Sequence, residues 1–337
     1  MLEFEVKDLA TLKKIVGQLD INLKHIEEKL DVTLKLDGES IKIEGQKADI
    51  AKNVLTTIEK TTKSSELDLN DLDYIIVLAK EHRENELIDL HEKPIAFTSA
   101  GRSLFPKTIG QKRYVDSISK NDIVFGTGPA GTGKTYIAIA LACNAFRNKQ
   151  FEKIILTRPA VEAGENLGFL PGDLQEKIDP YLRPVYDALY EILGAEKFQK
   201  CLEKGQIEIA PLAYMRGRTL DRSFIVLDEA QNTTHEQMKM FLTRLGYSSK
   251  MVITGDLTQT DLPHGKESGL KNAINLLRGV KGIGIEELKA VDIVRHPLVK
   301  KIIEKYDQEK KNEQLRYEQR KKDRASKYDQ GQNEELL

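Results

Sequence analysis

The sequence predicts an α/β fold: a parallel sheet with helices on both faces, preceded by a small α+β unit. Apolar stretches at 123–126, 153–157, 207–210, 224–228, 251–254 and 283–285 are short enough for strands, and helical patterns separate them. Residues 128–135 read Gly-Pro-Ala-Gly-Thr-Gly-Lys-Thr. They lie between the apolar stretch Ile123-Val124-Phe125 and a small-residue helix from Tyr136 to Ala145, the strand–loop–helix setting of a phosphate-binding P-loop. The first 60 residues instead run strand–helix–helix–strand–strand–helix.

In that first unit Leu2 to Val6 alternates as a strand, and Leu9 to Val16 and Leu23 to Leu30 have helical spacing. Val32 to Leu36 and Ile41 to Ile43 read as strands joined by the turn Asp37-Gly38, and Ile50 to Ile58 as a closing helix. This order resembles a KH RNA-binding module, which clamps backbone through a G-x-x-G loop between its first two helices. Here the junction is Gly17-Gln-Leu-Asp-Ile-Asn22, with one glycine, so a docking or assembly role stands beside RNA contact.

Thr61 to Asp68 is polar and reads as a linker. A helix is expected from Leu72 to Leu90, capped by Asn70 or Asp71, then a hairpin turning at Ala100-Gly101. The tail from Glu304 is highly charged and reads as solvated, disordered or an extended helix, with a basic cluster from Arg320 to Arg324. The resulting division is 1–65 for the KH-like unit, 66–104 for a helical and hairpin linker, 105–305 for the α/β core and 306–337 for the tail.

Composition narrows the function classes. The formal net charge of −1 gives no global basic field. Cys143 and Cys201 form no disulfide framework and read as thiols of a reducing cytosol. The charged N-terminus has no signal-peptide core, and no apolar run approaches a membrane span, so a cytoplasmic protein without membrane contact is expected. The six histidines show no ligand spacing, so no protein-bound transition metal is expected.

The octapeptide carries the chemistry. Its glycines let backbone N–H groups curl around an anion, and the helix start adds its positive dipole end. Lys134 can reach the outer phosphates and the Thr135 hydroxyl can ligate Mg²⁺. The nucleotide-binding set is therefore Gly128, Pro129, Ala130, Gly131, Thr132, Gly133, Lys134, Thr135 and Tyr136. Gly126, Gly128 and Gly131 also spell a dinucleotide fingerprint, but the next strand ends in Thr157-Arg158 rather than an acid, which counts against NAD.

Phe224 to Leu227 is an apolar strand ending in Asp228-Glu229, a Walker B pattern. Asp228 is placed to hold Mg²⁺, and Glu229 to polarise the attacking water. Val252 to Thr254 ends in Gly255-Asp256, and Gln259, three beyond, can align the water or sense the γ-phosphate. The amide of Gln111, before the first core strand, can pair with an adenine edge. A long loop through Gly164, Gly168 and Gly172, and the basic loop Tyr214 to Arg218, are further functional candidates. Hydrolysis also needs an arginine near the γ-phosphate. The candidates are Arg158, Arg216, Arg218, Arg244 and Arg295, of which Arg295 and Arg244 are favoured.

Together these segments resemble the PhoH family of P-loop ATPases. The matching stretches include Pro106 to Gln111, Gly126 to Thr135, Thr157 to Glu165, Leu167 to Leu174, Tyr214 to Thr219, Asp228 to Asn232, Thr254-Gly-Asp and Asp292 to Pro297. The resemblance implies a RecA-like core related to superfamily one helicases, ATP and Mg²⁺ as cofactors, cytoplasmic location and a link to RNA metabolism. Helicases of that superfamily place ATP between two cores, and this chain has one. A homo-oligomer is therefore expected, a ring such as a hexamer, with an arginine acting in trans. RNA, or an RNA-processing protein such as an endoribonuclease, is the expected partner. Two readings stay open: a motor that remodels RNA or ribonucleoprotein, and an ATP-switched adaptor. A small-molecule kinase is weaker, because Asp-Glu-Ala-Gln points to water as acceptor.

Overall fold

The parallel sheet forms because its strands are apolar on both sides. In the computed structural model, which describes residues 2–61, 67–91, 93–159, 174–262, 267–294 and isolated positions beyond, six strands lie in one sheet. They are β6 (Ile123–Thr127), β7 (Lys153–Arg158), β8 (Ile207–Pro211), β9 (Ser223–Leu227), β10 (Lys250–Gly255) and β11 (Ile283–Glu287). The order across the sheet is β11-β6-β10-β9-β7-β8, and every pairing is parallel. This is a RecA-like P-loop core. β10 lies between the P-loop strand β6 and the Asp-Glu strand β9.

Alternate residues face opposite layers, as the two-residue period of a strand requires. Val124, Ile154, Leu156, Phe224, Val226 and Val252 pack into one core with α5 (Ile109–Lys120), α6 (Lys134–Arg147), α7 (Leu174–Leu193) and α8 (Ala195–Glu203). Phe125, Ile155, Ile225, Leu227, Met251 and Ile253 pack into the other with α9 (His235–Leu242) and α10 (Gly269–Leu277). Each fully buried side chain of this kind contributes ~1.5–3 kcal/mol relative to exposure. Both layers hold the sheet flat against its helices and fix the strand ends that carry the polar residues.

The N-terminal unit is β1 (Leu2–Glu5), α1 (Leu9–Val16), α2 (Ile21–Leu30), β2 (Thr33–Asp37), β3 (Ser40–Glu44) and α3 (Ala48–Thr61). Its sheet is antiparallel in the order β1-β3-β2, a KH-like arrangement. At the junction of α1 and α2, Leu19 and Asp20 both sit in the left-handed region at φ 53° and 59°. Leu19 stands there exposed.

The helix expected over 72–90 is shorter and starts earlier. α4 spans Leu69–Lys80, and its cap is Asp68, not Asn70 or Asp71. The Asp68 carboxylate accepts the N–H groups of Asn70 and Asp71, while Asp71 returns a bond to the Asp68 N–H. His82 at φ 56° ends the helix, with the Arg83 N–H on the Leu78 carbonyl at 2.9 Å. Leu87 and Leu90, on a 3₁₀ turn at Glu84–His91, nonetheless enter the same core as Leu72, Ile75, Ile26 and Ile58. The segment expected to be a linker therefore shares the hydrophobic core of the N-terminal unit. β4 (Ala96–Phe97) and β5 (Ser103–Leu104) form the hairpin.

Residues Met1–Val294 make one unit and Arg295–Leu337 a second. In the second, described positions such as Leu298, Val299, Ile302 and Tyr306 are helical, and the expectations for 311–337 fall outside the described residues. Among the described residues no helix is long and apolar enough to cross a membrane.

Candidate functional site

All six core strands run the same way, so their C-terminal ends share one edge, and the polar residues gather there. β6 delivers the loop 128–133, and α6 begins at Lys134 with Gly133 as its cap at φ 79°. Lys134 is buried, with its ammonium on the carbonyls of Gly128 (2.7 Å) and Pro129 (2.8 Å) and near the Thr132 hydroxyl (3.3 Å).

Strand order explains the centre of the site. β10 places Thr254 between the P-loop and β9. The Asp228 Oδ1 accepts hydrogen bonds from the hydroxyls of Thr135 (2.6 Å) and Thr254 (2.8 Å), which lie 3.3 Å apart. Asp228 is itself tied to β7 by its N–H on the Thr157 carbonyl at 2.9 Å. Hydroxyls and a carboxylate are hard oxygen donors, the kind Mg²⁺ takes when most of its other ligands are water and phosphate. The residues present fit that ion: Thr135 and Asp228 would hold it, with Thr254 orienting the carboxylate.

Glu229 follows in the left-handed region at φ 52°, ψ 39°, a strained place for a residue with a side chain. Its Oε1 lies 3.3 Å from the Arg158 guanidinium, and its Oε2 accepts from the Gln231 amide. The Gln231 Oε1 in turn accepts the Asp256 N–H at 3.0 Å. Gln259 has its N–H on the Asp256 carbonyl at 3.1 Å. A cavity of about 250 Å³ is lined by Ala130, Gly131, Gly133, Lys134, Thr135, Tyr136, Asp228, Glu229, Gly255, Asp256 and Gln259. The loop, both acids and Gln259 thus meet at one small polar space.

A second cavity of about 850 Å³ shares Gly131, Gly133 and Tyr136 with the first. Its other walls include Gln111, Phe105, Pro106 and Val294, together with Tyr74, Ile75 and Leu90 of the N-terminal unit. Apolar walls beside a phosphate-sized space suit a base and ribose. Burial, then the charge of Glu191, pushes the Tyr136 phenol up to about 12, so it stays neutral there.

Gln111 has partners within the protein that the sequence did not announce. Its Oε1 accepts the Lys107 N–H at 2.7 Å and its Nε2 donates to the Thr132 carbonyl at 3.0 Å. The amide braces the P-loop, and each end keeps one further hydrogen-bonding position. The helix that carries it is held at its start from two sides. The Ile109 N–H donates to the Tyr74 hydroxyl at 2.9 Å, and the Gly110 N–H to the buried Asp292 carboxylate at 3.2 Å. Beyond β11, the Leu288 N–H meets the Thr127 carbonyl at 2.8 Å and the Val294 N–H meets the Gly131 carbonyl at 3.0 Å.

The arginines separate. Arg244 is placed away from its own chain's P-loop. Its guanidinium bonds the carbonyls of Met240 and Arg218, and its own carbonyl accepts the Leu220 N–H, at the edge where β9 begins. Arg218 pairs with Glu208, and Arg158 with Glu229. Arg295 and the loop through Gly164, Gly168 and Gly172 lie outside the described residues. Burial pushes the Cys143 thiol up to about 12, which keeps it an inert core group. Among the described residues no three His, Cys, Asp or Glu side chains converge as a metal cluster.

The family model of the PhoH-like proteins matches residues 103–307. A PhoH-like protein of Bacillus subtilis (strain 168) is 52% identical over 298 residues, covering 88% of this chain and 93% of that protein. A PhoH-like protein of Mycobacterium bovis is 50% identical over 300 residues, 87% of this chain and 84% of that protein. Among solved structures, the UvsW helicase from bacteriophage T4 aligns over 61% of this chain and 67% of that chain, at 16% identity and a TM-score of 0.33.

Proposed function

The chain belongs to the PhoH-like protein family, and from that premise we propose that it is a Mg²⁺-dependent ATPase whose turnover remodels RNA or a ribonucleoprotein. The observation that carries the reading is the junction of Thr135, Asp228 and Thr254, with Glu229 on the same cavity. The loop N–H groups and Lys134 hold the β- and γ-phosphates. Glu229 takes a proton from a water as its oxygen attacks the γ-phosphorus. The bond from phosphorus to the bridging oxygen breaks, leaving ADP and phosphate, and Gln259 orients the water. Thr135 and Asp228 would hold Mg²⁺, which would supply charge neutralisation at the phosphates. Gln111 and the apolar walls of the larger cavity take the base.

The decisive measurement is steady-state ATPase with and without RNA and single-stranded DNA, in wild type and Lys134→Ala. The expected result is turnover raised by RNA in wild type and background rates in Lys134→Ala. The adaptor reading has its own support, because Tyr74 of the N-terminal unit bonds the helix that carries Gln111. A wild-type rate moved by neither nucleic acid selects the adaptor.

The core supplies one face to the nucleotide, so the second face comes from another copy, in a ring with Arg295 or Arg244 acting in trans. Arg244 lies at the edge opposite its own P-loop, where it can meet a neighbour. The rate per chain should then rise with protein concentration across the assembly range, measured beside the oligomeric state by light scattering. A strictly monomeric sample with an unchanged rate per chain eliminates the ring.

A further inference from the structure

We propose that Arg158 is a positioning residue that restrains Glu229, at the wall of the phosphate cavity, from turning fully to the attacking water until the pair is broken; the proposal rests on the ATPase reading above. Arg158 ends β7, and Glu229 follows β9, the strand beside it. The Thr157 carbonyl accepts the Asp228 N–H at 2.9 Å, so the two strand ends are locked at this level. From there the Arg158 guanidinium reaches the Glu229 Oε1 at 3.3 Å, and the Gln231 amide reaches Oε2.

Each oxygen of the catalytic acid thus has a protein donor, and the two donors together fix the direction in which the carboxylate points, although each oxygen keeps a further lone pair. A carboxylate that takes a proton from water must turn one oxygen to that water at hydrogen-bond distance. Arg158 does not line the phosphate cavity, whereas Glu229 does. The guanidinium's ion pair is with the acid. The left-handed backbone at Glu229 supports the same view. A strained residue persists where surrounding contacts determine it, and the Arg158 pair is one of them.

The pair is only partly buried, with side chains 24% and 37% exposed, so it can be broken at modest cost. Any event that draws Arg158 off Glu229 would then release the acid, and the resting rate would be low by design of this contact.

The test is kcat and KM for ATP in Arg158→Gln, Arg158→Lys and Glu229→Gln. Arg158→Gln should raise the basal kcat about three- to fivefold, the rate equivalent of a partly exposed ion pair, with KM for ATP unchanged. Arg158→Lys, which keeps the charge, should bring the rate back toward wild type. A fall of Arg158→Gln toward the Glu229→Gln rate overturns the proposal and makes Arg158 a charge-stabilising residue. A raised KM at constant kcat, or no change in either, overturns it too. Wild type no faster than the Lys134→Ala background removes the ATPase reading itself, which is a separate outcome. Thermal melts of both Arg158 variants establish that the rates come from folded protein.

Discussion

Glu229→Gln should lower kcat about 10²- to 10⁴-fold while leaving ATP binding close to wild type, the range expected when a positioned general base is removed. Glutamine has the shape of glutamate, and its amide oxygen can still accept from the Gln231 amide. The backbone at φ 52° makes the same demand on either side chain. The P-loop, Lys134 and the Asp228 cluster are untouched, so the nucleotide keeps its ligands. What disappears is the acceptor for the proton of water. The measurement is single-turnover hydrolysis beside equilibrium binding of a fluorescent ATP analogue. Asp228→Asn should behave differently. Its oxygen would still accept from Thr135 and Thr254, but its charge is gone, so the Mg²⁺ concentration needed for half-maximal rate should rise. A Glu229→Gln enzyme that turns over near the wild-type rate assigns the base to another residue, with Asp256 the next acid on the cavity.

Much of the core was legible because parallel strands buried on two sides must be apolar without interruption. Phe224 to Leu227 and Val252 to Ile253 are such runs, and each ends where the polar chemistry begins. The P-loop was legible because its glycines, lysine and threonine have few other uses in that order. Strand order was not legible, since crossover helices hide which strands pair. Thr254 is the case that matters. The sequence marks it as a small polar residue at a buried strand end, but only the insertion of β10 between β6 and β9 puts it on Asp228. Gln231 and Asp292 were missed as site residues for a similar reason, because their partners lie 25 and 182 positions away. The length of α4 was misread because Leu87 and Leu90 continue its apolar spacing through a 3₁₀ turn, with no glycine at His82 to announce the stop. The adenine role expected of Gln111 rested on the donor and the acceptor of its amide, whereas its bracing of Thr132 depends on a folded loop.

Gly128→Ala should abolish ATP binding at micromolar nucleotide and lower the melting temperature by several degrees, through backbone geometry alone. Gly128 sits at φ +138°, in territory that residues with a side chain avoid. A Cβ there would lie 2.2 Å from the Leu288 carbonyl oxygen, a backbone atom that cannot swing aside. That carbonyl belongs to the segment fixed by the Leu288 N–H on Thr127 and the Val294 N–H on Gly131. The loop must therefore move off the end of β11, and both straps loosen with it. The Lys134 ammonium, seated on the Gly128 carbonyl at 2.7 Å, loses its place at the same time. Strain of ~1–3 kcal/mol from the dihedral adds to the overlap. Gly101→Ala is the matched control. It carries φ +81° in the β4–β5 turn with nothing within 4 Å of its Cβ, so it suffers the dihedral cost without the overlap. Calorimetric melts and ATP titrations of the pair then separate the two terms. If both variants lose the same few degrees and both still bind ATP, the contact between Leu288 and the loop is not what shapes the phosphate site. If only Gly128→Ala loses the nucleotide, the segment after β11, from Leu288 to Val294, is part of the loop's scaffold.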